Sequence, residues 1–282
     1  MRTKLLQHIC ESSPDRAVNE DRVGWLDTTA WIIDGATGLT EERLLPGETD
    51  AAFFADIVFS AFEEHLRSPA SGLWCLVSES IKEAFDANAN FSAEKSIELP
   101  AAAAAGVRLD GFVLETFNIG DCVTLIRDRE GAVCRFGSSE VQKFDNRVVA
   151  LMTALREQGF EYPSITQHMK RQIAINRMSA NTQEGYWVID PTSKWIDHVQ
   201  TNRTNVEGPC QLLLMSDGFY RARDVYNIFS TDSALFTEAL LSDGLKRIQN
   251  RIREIEKRDT NCEAYPRIKA SDDSSALLIE IH

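Results

Sequence analysis

The stretch AWIIDGATGL, residues 30–39, decides the fold class. Trp31, Ile32 and Ile33 read as a buried strand, and that strand breaks on Asp34-Gly35. A carboxylate at the rim of an apolar strand loses hydration at a cost unless something positive compensates it. A single Asp-Gly is adequately explained as a turn, because that dipeptide is among the commonest in turns. Here the arrangement recurs, and the recurrence needs a reason.

On either side of this strand the pattern is mixed. Apolar spacing predicts helices over about Asp50–Leu66 and Leu73–Phe85, the second carrying Leu73, Leu76, Val77, Ile81, Ala84 and Phe85 on one face. Strand-like segments follow at GVRLDGFVLETFNIG, CVTLIRD and AVCRF, the last two joined by a hairpin through Arg129, Glu130 and Gly131. Helices are expected over roughly Arg147–Gln158 and Pro163–Met178, then strands at YWVID and QLLLM. A long helix with Leu245, Ile248, Ile252 and Ile255 on one stripe precedes a last strand, ALLIEI. Helices and strands come in blocks, which favours an α+β fold of antiparallel sheets over a doubly wound parallel sheet. No linker or repeat divides the 282 residues, so a single domain spanning 1–282 is expected.

Four segments share the plan of the opening stretch. They are WIIDG with Asp34, FNIGDC with Asp121, LLLMSDG with Asp217, and SDDSSALLIEI with Asp272 and Asp273. Glu20-Asp21, just ahead of another short apolar segment, makes a fifth acidic point. Each sets a carboxylate at one end of a core strand, and in an antiparallel sheet such ends converge. Converged carboxylates repel and cannot all ionise without counter-charge. Magnesium and manganese supply it, since they take carboxylate, carbonyl and water oxygens. The five histidines lie outside these segments, which argues against zinc. Gly35, lacking a side chain, can bring its carbonyl to a metal. Two such ions about 3.5–4 Å apart can hold and acidify a water aimed at phosphorus. Arg16, five residues before Asp21, has the planar fork that grips phosphate, although an Arg beside acids is ordinarily a surface ion pair.

Composition narrows the partners. A net charge of -13 repels phosphate backbones, so nucleic acid and anionic membranes are not expected ligands. The six cysteines are scattered without a C-x-x-C pair. The first residues show no secretory pattern, and LPAAAAAGV is too short to span a bilayer, so the expected location is cytoplasmic.

The ordered set R-A-V-N-E-D (Arg16–Asp21), I-I-D-G-A-T-G (Ile32–Gly38), I-G-D-C (Ile119–Cys122), L-L-L-M-S-D-G (Leu212–Gly218) and S-D-D-S-S-A-L-L-I (Ser271–Ile279) resembles the metal-dependent type-2C protein serine/threonine phosphatases. The resemblance implies a four-layer α-β-β-α sandwich with its metal centre at one end of two central sheets. It implies a phosphomonoesterase acting on phosphoserine or phosphothreonine in proteins, with two Mg2+ or Mn2+ ions and a weaker third. In that scheme Asp34 bridges two ions, the Gly35 carbonyl ligates one, and Asp217 and Asp272 complete the first ion's shell. Asp121 would help Asp217 hold the third, Glu20 and Asp21 would act through bound waters, and Arg16 would bind phosphate.

Three departures accompany it. Ala36 stands where many eukaryotic members carry a histidine proposed as general acid. Asp273 replaces the usual Asn, as in the bacterial stress-response and sporulation branch, and would add negative charge near the metals. Residues 145–209 align with nothing in the family pattern, which leaves substrate choice and oligomeric state open. A haloacid-dehalogenase reading of WIIDGATGL lacks the second Asp, since Ala36 occupies its place. A catalytically inactive, phosphatase-like binding protein is the alternative from a different class.

Overall fold

The computed structural model describes residues 1–39, 43–67, 72–90, 98–206 and 208–282. The opening stretch lies in strand β3 (Thr29–Ala36), flanked antiparallel by β2 (Asp21–Leu26) and β4 (Ala101–Asp110). Its side chains alternate between two cores. Trp31 and Ile33 pack outward under helices, while Ala30 and Ile32 pack inward against a second sheet. Burial on both faces is why this strand reads as a continuous apolar run.

The first sheet continues from β4 through β5 (Val113–Ile119) to β8 (Gln200–Asn205), giving the order β2-β3-β4-β5-β8. The second comprises β1 (Thr3–Glu11), β6 (Val123–Arg127), β7 (Val133–Phe136), β9 (Cys210–Met215) and β10 (Ser274–Ile281), ordered β1-β10-β9-β6-β7. Every pairing is antiparallel. Ala103, Ala105 and Val107 of one sheet meet Leu212, Leu214, Leu277 and Ile279 of the other.

Helices α1 (Asp50–His65) and α2 (Leu73–Asn88) cover the first sheet, their Phe54, Phe62, Val77 and Ile81 packing over Trp31 and Phe117. Thr49 caps α1, accepting the Ala52 amide at 3.0 Å. Helices α5 (Asp217–Asp224), α6 (Asp232–Ala239) and α7 (Gly244–Arg258) cover the second sheet through Phe219, Phe236, Leu245, Ile248 and Ile252. The layering is therefore α-β-β-α, as expected. Helices α3 (Glu140–Glu157) and α4 (Tyr162–Arg177) pack on each other through Val148, Met152, Ile165 and Met169.

One expected strand is missing, and two segments for which no element was expected form strands. Tyr186–Asp190 is not a strand: Ile189 only exchanges two backbone hydrogen bonds of 2.9 Å with Ala102, and Pro191, without an amide proton, cannot continue a ladder. Strand β8, QTNRTN, is exposed at every residue, so no apolar pattern announces it. The alanine run became β4, where small side chains let the two sheets approach and tertiary packing overrides alanine's helical preference.

Candidate active site at the sheet ends

The acidic segments come together because of register. Asp21 and Asp34 are direct partners across β2 and β3, and Asp34 faces Ala103 on β4. Ala104 in turn faces Ile119 at the end of β5, two residues before Asp121. In the second sheet Met215 lies between Val123 and Ala276, which puts Asp121, Asp217 and Asp272-Asp273 just past the same end. Strand ends from both layers thus bring six aspartates to one end of the sandwich.

Backbone contacts lock these ends together. The Ser216 amide donates to the Ser275 carbonyl at 3.0 Å, and the Ser275 amide donates to Ser216 Oγ at 3.0 Å. Ser216 is fully buried and used in this link, which agrees with its exclusion as a nucleophile. Gly218, at the start of α5, approaches the Asp272–Asp273 backbone so closely that an added Cβ would lie 1.9 Å from the Asp273 carbonyl oxygen. Gly35 is similarly confined, an added Cβ falling 2.8 Å from the Glu20 carbonyl oxygen and 2.9 Å from that of Ala51.

The electrostatics record a shortage of positive charge. Asp21 is 1% exposed, and neither carboxylate oxygen has a hydrogen-bond partner of acceptable geometry, although the Ser216 and Ser275 hydroxyls lie beside it. Burial, reinforced by Asp273 and Asp217, pushes its carboxyl up to about 8. Asp34 is also pushed well above the carboxylate range, by burial first and then by Asp21, Asp217, Asp121 and Asp272. Asp121 follows, through burial and the charges of Asp217 and Asp145. An orphaned buried carboxylate among mutually repelling acids is the donor set of a hard divalent cation, so the residues present fit one.

Asp272 behaves in the opposite way. Its Oδ2 accepts from Arg221 Nη2 at 2.6 Å and its Oδ1 from Lys269 Nζ at 2.9 Å. Burial works against its ionisation, but Lys269 and Arg221 outweigh it and hold the carboxyl down at about 2. Arg221 also stands 3.6 Å from Asp217 Oδ2. Asp273 is spent on the backbone, accepting the Ser13 and Glu20 amides at 2.7 Å each. Among the described residues, no three acidic, histidine or cysteine side chains stand close enough to grip one ion as they are placed.

Arg16 is ion-paired with Glu20, and its charge is favoured by Glu20, Asp272 and Asp273 against the opposing effect of burial. It therefore borders the cluster. Glu20 is buried and also accepts from Thr37 Oγ1 at 3.3 Å, tying this segment to the loop after Asp34.

Four residues escaped the sequence reading. Asp145 on α3 faces the cluster, its carboxyl pushed up to about 7 by burial and Asp217 against the pull of Arg221 and Lys269. Arg221 lies one helical turn beyond Asp217, and Lys269 three residues before Asp272; both spacings were visible as opposite charges close in sequence. Arg177 at the end of α4 donates to the carbonyls of Ala36 at 3.0 Å and Thr37 at 3.3 Å. Nothing in the sequence links that arginine to a loop 140 residues away.

The protein phosphatase 2C family profile matches residues 14–260, and the chain belongs to that family. Solved structures agree on the fold. The serine/threonine phosphatase PstP/Ppp of Mycobacterium tuberculosis superimposes with a TM-score of 0.58 at 14% identity, over 100% of both chains. Stp1 of Staphylococcus aureus gives 0.57 at 12% identity, covering 98% of this chain and 94% of its own. The catalytic domain of PstP in complex with two manganese ions gives 0.53 at 13% identity, covering 99% of this chain and 97% of its own. No curated protein matches the chain.

Proposed function

We propose that the chain is a Mg2+- or Mn2+-dependent phosphomonoesterase acting on phosphoserine or phosphothreonine in protein substrates, with residues 1–282 forming one catalytic domain. The observation that carries this reading is Asp21: a fully buried carboxylate with both oxygens unpartnered, set directly across from Asp34. Asp34, the Gly35 carbonyl, Asp217 and Asp272 would hold two ions, with Asp121 and Asp217 available to a third. Bound there, the ions would supply an acidified water and neutralise charge on the phosphate.

The chain's own residues do the rest. Arg16 exchanges Glu20 for phosphate oxygens and orients the ester, a task suited to its planar fork. Glu20 and Asp21 would orient water held by the ions, and the Asp273 clamp keeps the Glu20 backbone in position. No side-chain nucleophile is needed: Cys122 is fully buried with its thiol pushed well above the usual range by burial and by Asp34 and Asp121, and Ser216 is committed to Ser275. The free state of all six cysteines supports a reducing, cytoplasmic setting.

One observation favours a second reading. Asp272 already has Arg221 and Lys269 as counter-charges, as would suit a phosphatase-like protein that binds partners without turnover. Dephosphorylation of a phosphopeptide panel with Mn2+, beside a chelator control and Asp217→Asn, separates the two. Metal-dependent turnover lost in the variant supports the enzyme. Tight Mn2+ binding without turnover of any peptide or aryl phosphate supports the binding protein.

A further inference from the structure

We propose that Lys269 is a tethered counter-cation that competes with divalent metal for Asp272 and so sets the metal affinity of the cluster. The inference rests on the metal-dependent reading above and concerns how this chain regulates entry of the ion.

Both oxygens of Asp272 are engaged by cationic side chains, Oδ1 by Lys269 at 2.9 Å and Oδ2 by Arg221 at 2.6 Å. The two cations are anchored differently. The Arg221 side chain is 9% exposed, rises from α5 and also faces Asp217. It cannot leave without abandoning a buried charge. The Lys269 side chain is 46% exposed and comes from the segment joining α7 to β10. Its compact ammonium can swing into water on a flexible stem and regain full hydration there.

An ion that uses Asp272 Oδ1 needs lone pairs that Lys269 holds. The ammonium is also attracted to the charges of Asp217 and Asp34. Lys269 would therefore have to leave Oδ1 for an ion to use it, that oxygen then keeping only the Asp273 amide at 3.2 Å while Arg221 stays on Oδ2. In the metal-free protein the same lysine spares the fold one uncompensated buried charge. Metal affinity falls and metal-free stability rises together, and both effects come from one side chain.

Titration of the full chain with Mn2+ by calorimetry, together with melting in chelator, tests this. Lys269→Met should bind Mn2+ more tightly, on the order of tenfold, the scale on which groups around a ligand tune affinity. It should also melt lower in chelator and gain more from added Mn2+. Lys269→Gln should follow Met, and Lys269→Arg should stay close to the parent. If the parent binds Mn2+ and the Met and Gln variants bind it equally or more weakly, the role of Lys269 is overturned and the metal site survives. If neither parent nor variants bind Mn2+, the metal-dependent reading itself fails. Binding by the Met or Gln variant alone would support the competition directly.

Discussion

Asp273 and Glu20 are joined by a hydrogen bond of 2.7 Å from the Glu20 amide to Asp273 Oδ2, while the other oxygen of Asp273 accepts the Ser13 amide at 2.7 Å. One carboxylate near the end of the chain thus clamps two backbone amides near its beginning, on either side of Arg16. Both oxygens act as acceptors, which an Asn could not match: its amide nitrogen would confront an N–H donor. Charge-assisted acceptance from backbone amides is worth more than a neutral bond. Asp273→Asn should therefore destabilise the protein by about 1–3 kcal/mol. Urea denaturation in chelator measures it, and an unchanged midpoint would count against the clamp.

This clamp shows where the sequence was informative and where it was not. The aspartate at 273 was legible as a departure from the family's asparagine and as extra negative charge near the expected metal site. Its two amide partners, 260 and 253 residues away, were not. The same division holds elsewhere. Strand β3 was legible because both of its faces are buried, and α7 because its apolar stripe has helical spacing. Strand β8 was not, because an edge strand exposed along its length needs no apolar pattern. Asp34, Asp121, Asp217 and Asp272 were legible as acids interrupting apolar strands. Asp145 and Arg177 were not, because helices α3 and α4 meet the site through side chains whose local sequence is that of any solvated helix.

The pH dependence of the metal-free protein follows from two opposite kinds of carboxyl. Asp21, with an ordinary value of 3.8, is raised to about 8 in the fold, and Asp145 to about 7. Between those values the folded protein binds protons that the unfolded chain has released, so stability falls as pH rises from about 4 to 8. Asp272, lowered to about 2, has the other sign: its contribution is present above the ordinary carboxylate value and is lost as pH falls towards 2. The melting temperature in chelator should therefore be highest at mildly acidic pH and decline towards pH 8. Saturating Mn2+ should reduce that decline. Asp21→Asn should flatten the alkaline limb in chelator; a limb as steep as the parent's would contradict the assignment.

In the proposed function Arg16 would have to leave Glu20 to take phosphate. Removing the arginine should weaken inorganic phosphate inhibition and raise KM, with a loss of about 1.5–3 kcal/mol for a charge-assisted contact. A fall in kcat at unchanged KM would instead mean that Arg16 acts only in the transition state. Glu20→Gln should work the other way on phosphate affinity, since the competing charge is gone.

Arg177 bonds the carbonyls of Ala36 and Thr37, fastening α4 to the loop that follows Asp34 and Gly35. Arg177→Ala frees that loop and the last residue of β3 while leaving the strand pairing of both sheets in place. Its expected signature is a fall in kcat/KM of roughly tenfold to a hundredfold, the cost of a misplacement near 1 Å. Global stability should change far less than activity. Equal activity in variant and parent would show that α4 merely rests against the loop.

The segment that delivers Lys269 and Asp272 is itself built around a buried ion pair. Arg267 Nη1 donates to Asp259 Oδ2 at 2.6 Å, and the guanidinium also donates to the carbonyls of Asp259, Tyr265 and Ala270. Asp259 accepts the amides of Glu263, Ala264 and Tyr265 in return. With Arg267 3% exposed, truncation to Ala leaves the Asp259 carboxylate without its counter-ion and takes a donor from the carbonyls of Tyr265 and Ala270. Breaking such a pair costs about 3–5 kcal/mol. Arg267→Ala should lower the urea midpoint accordingly, and Lys at this position should recover only part of the loss because it cannot reproduce the planar fork. In whatever fraction remains folded, Mn2+ affinity should change as well, because the chain between 259 and 272 sets the position of Asp272. A variant that loses stability while keeping the parent's Mn2+ affinity would show that β10 alone places that aspartate.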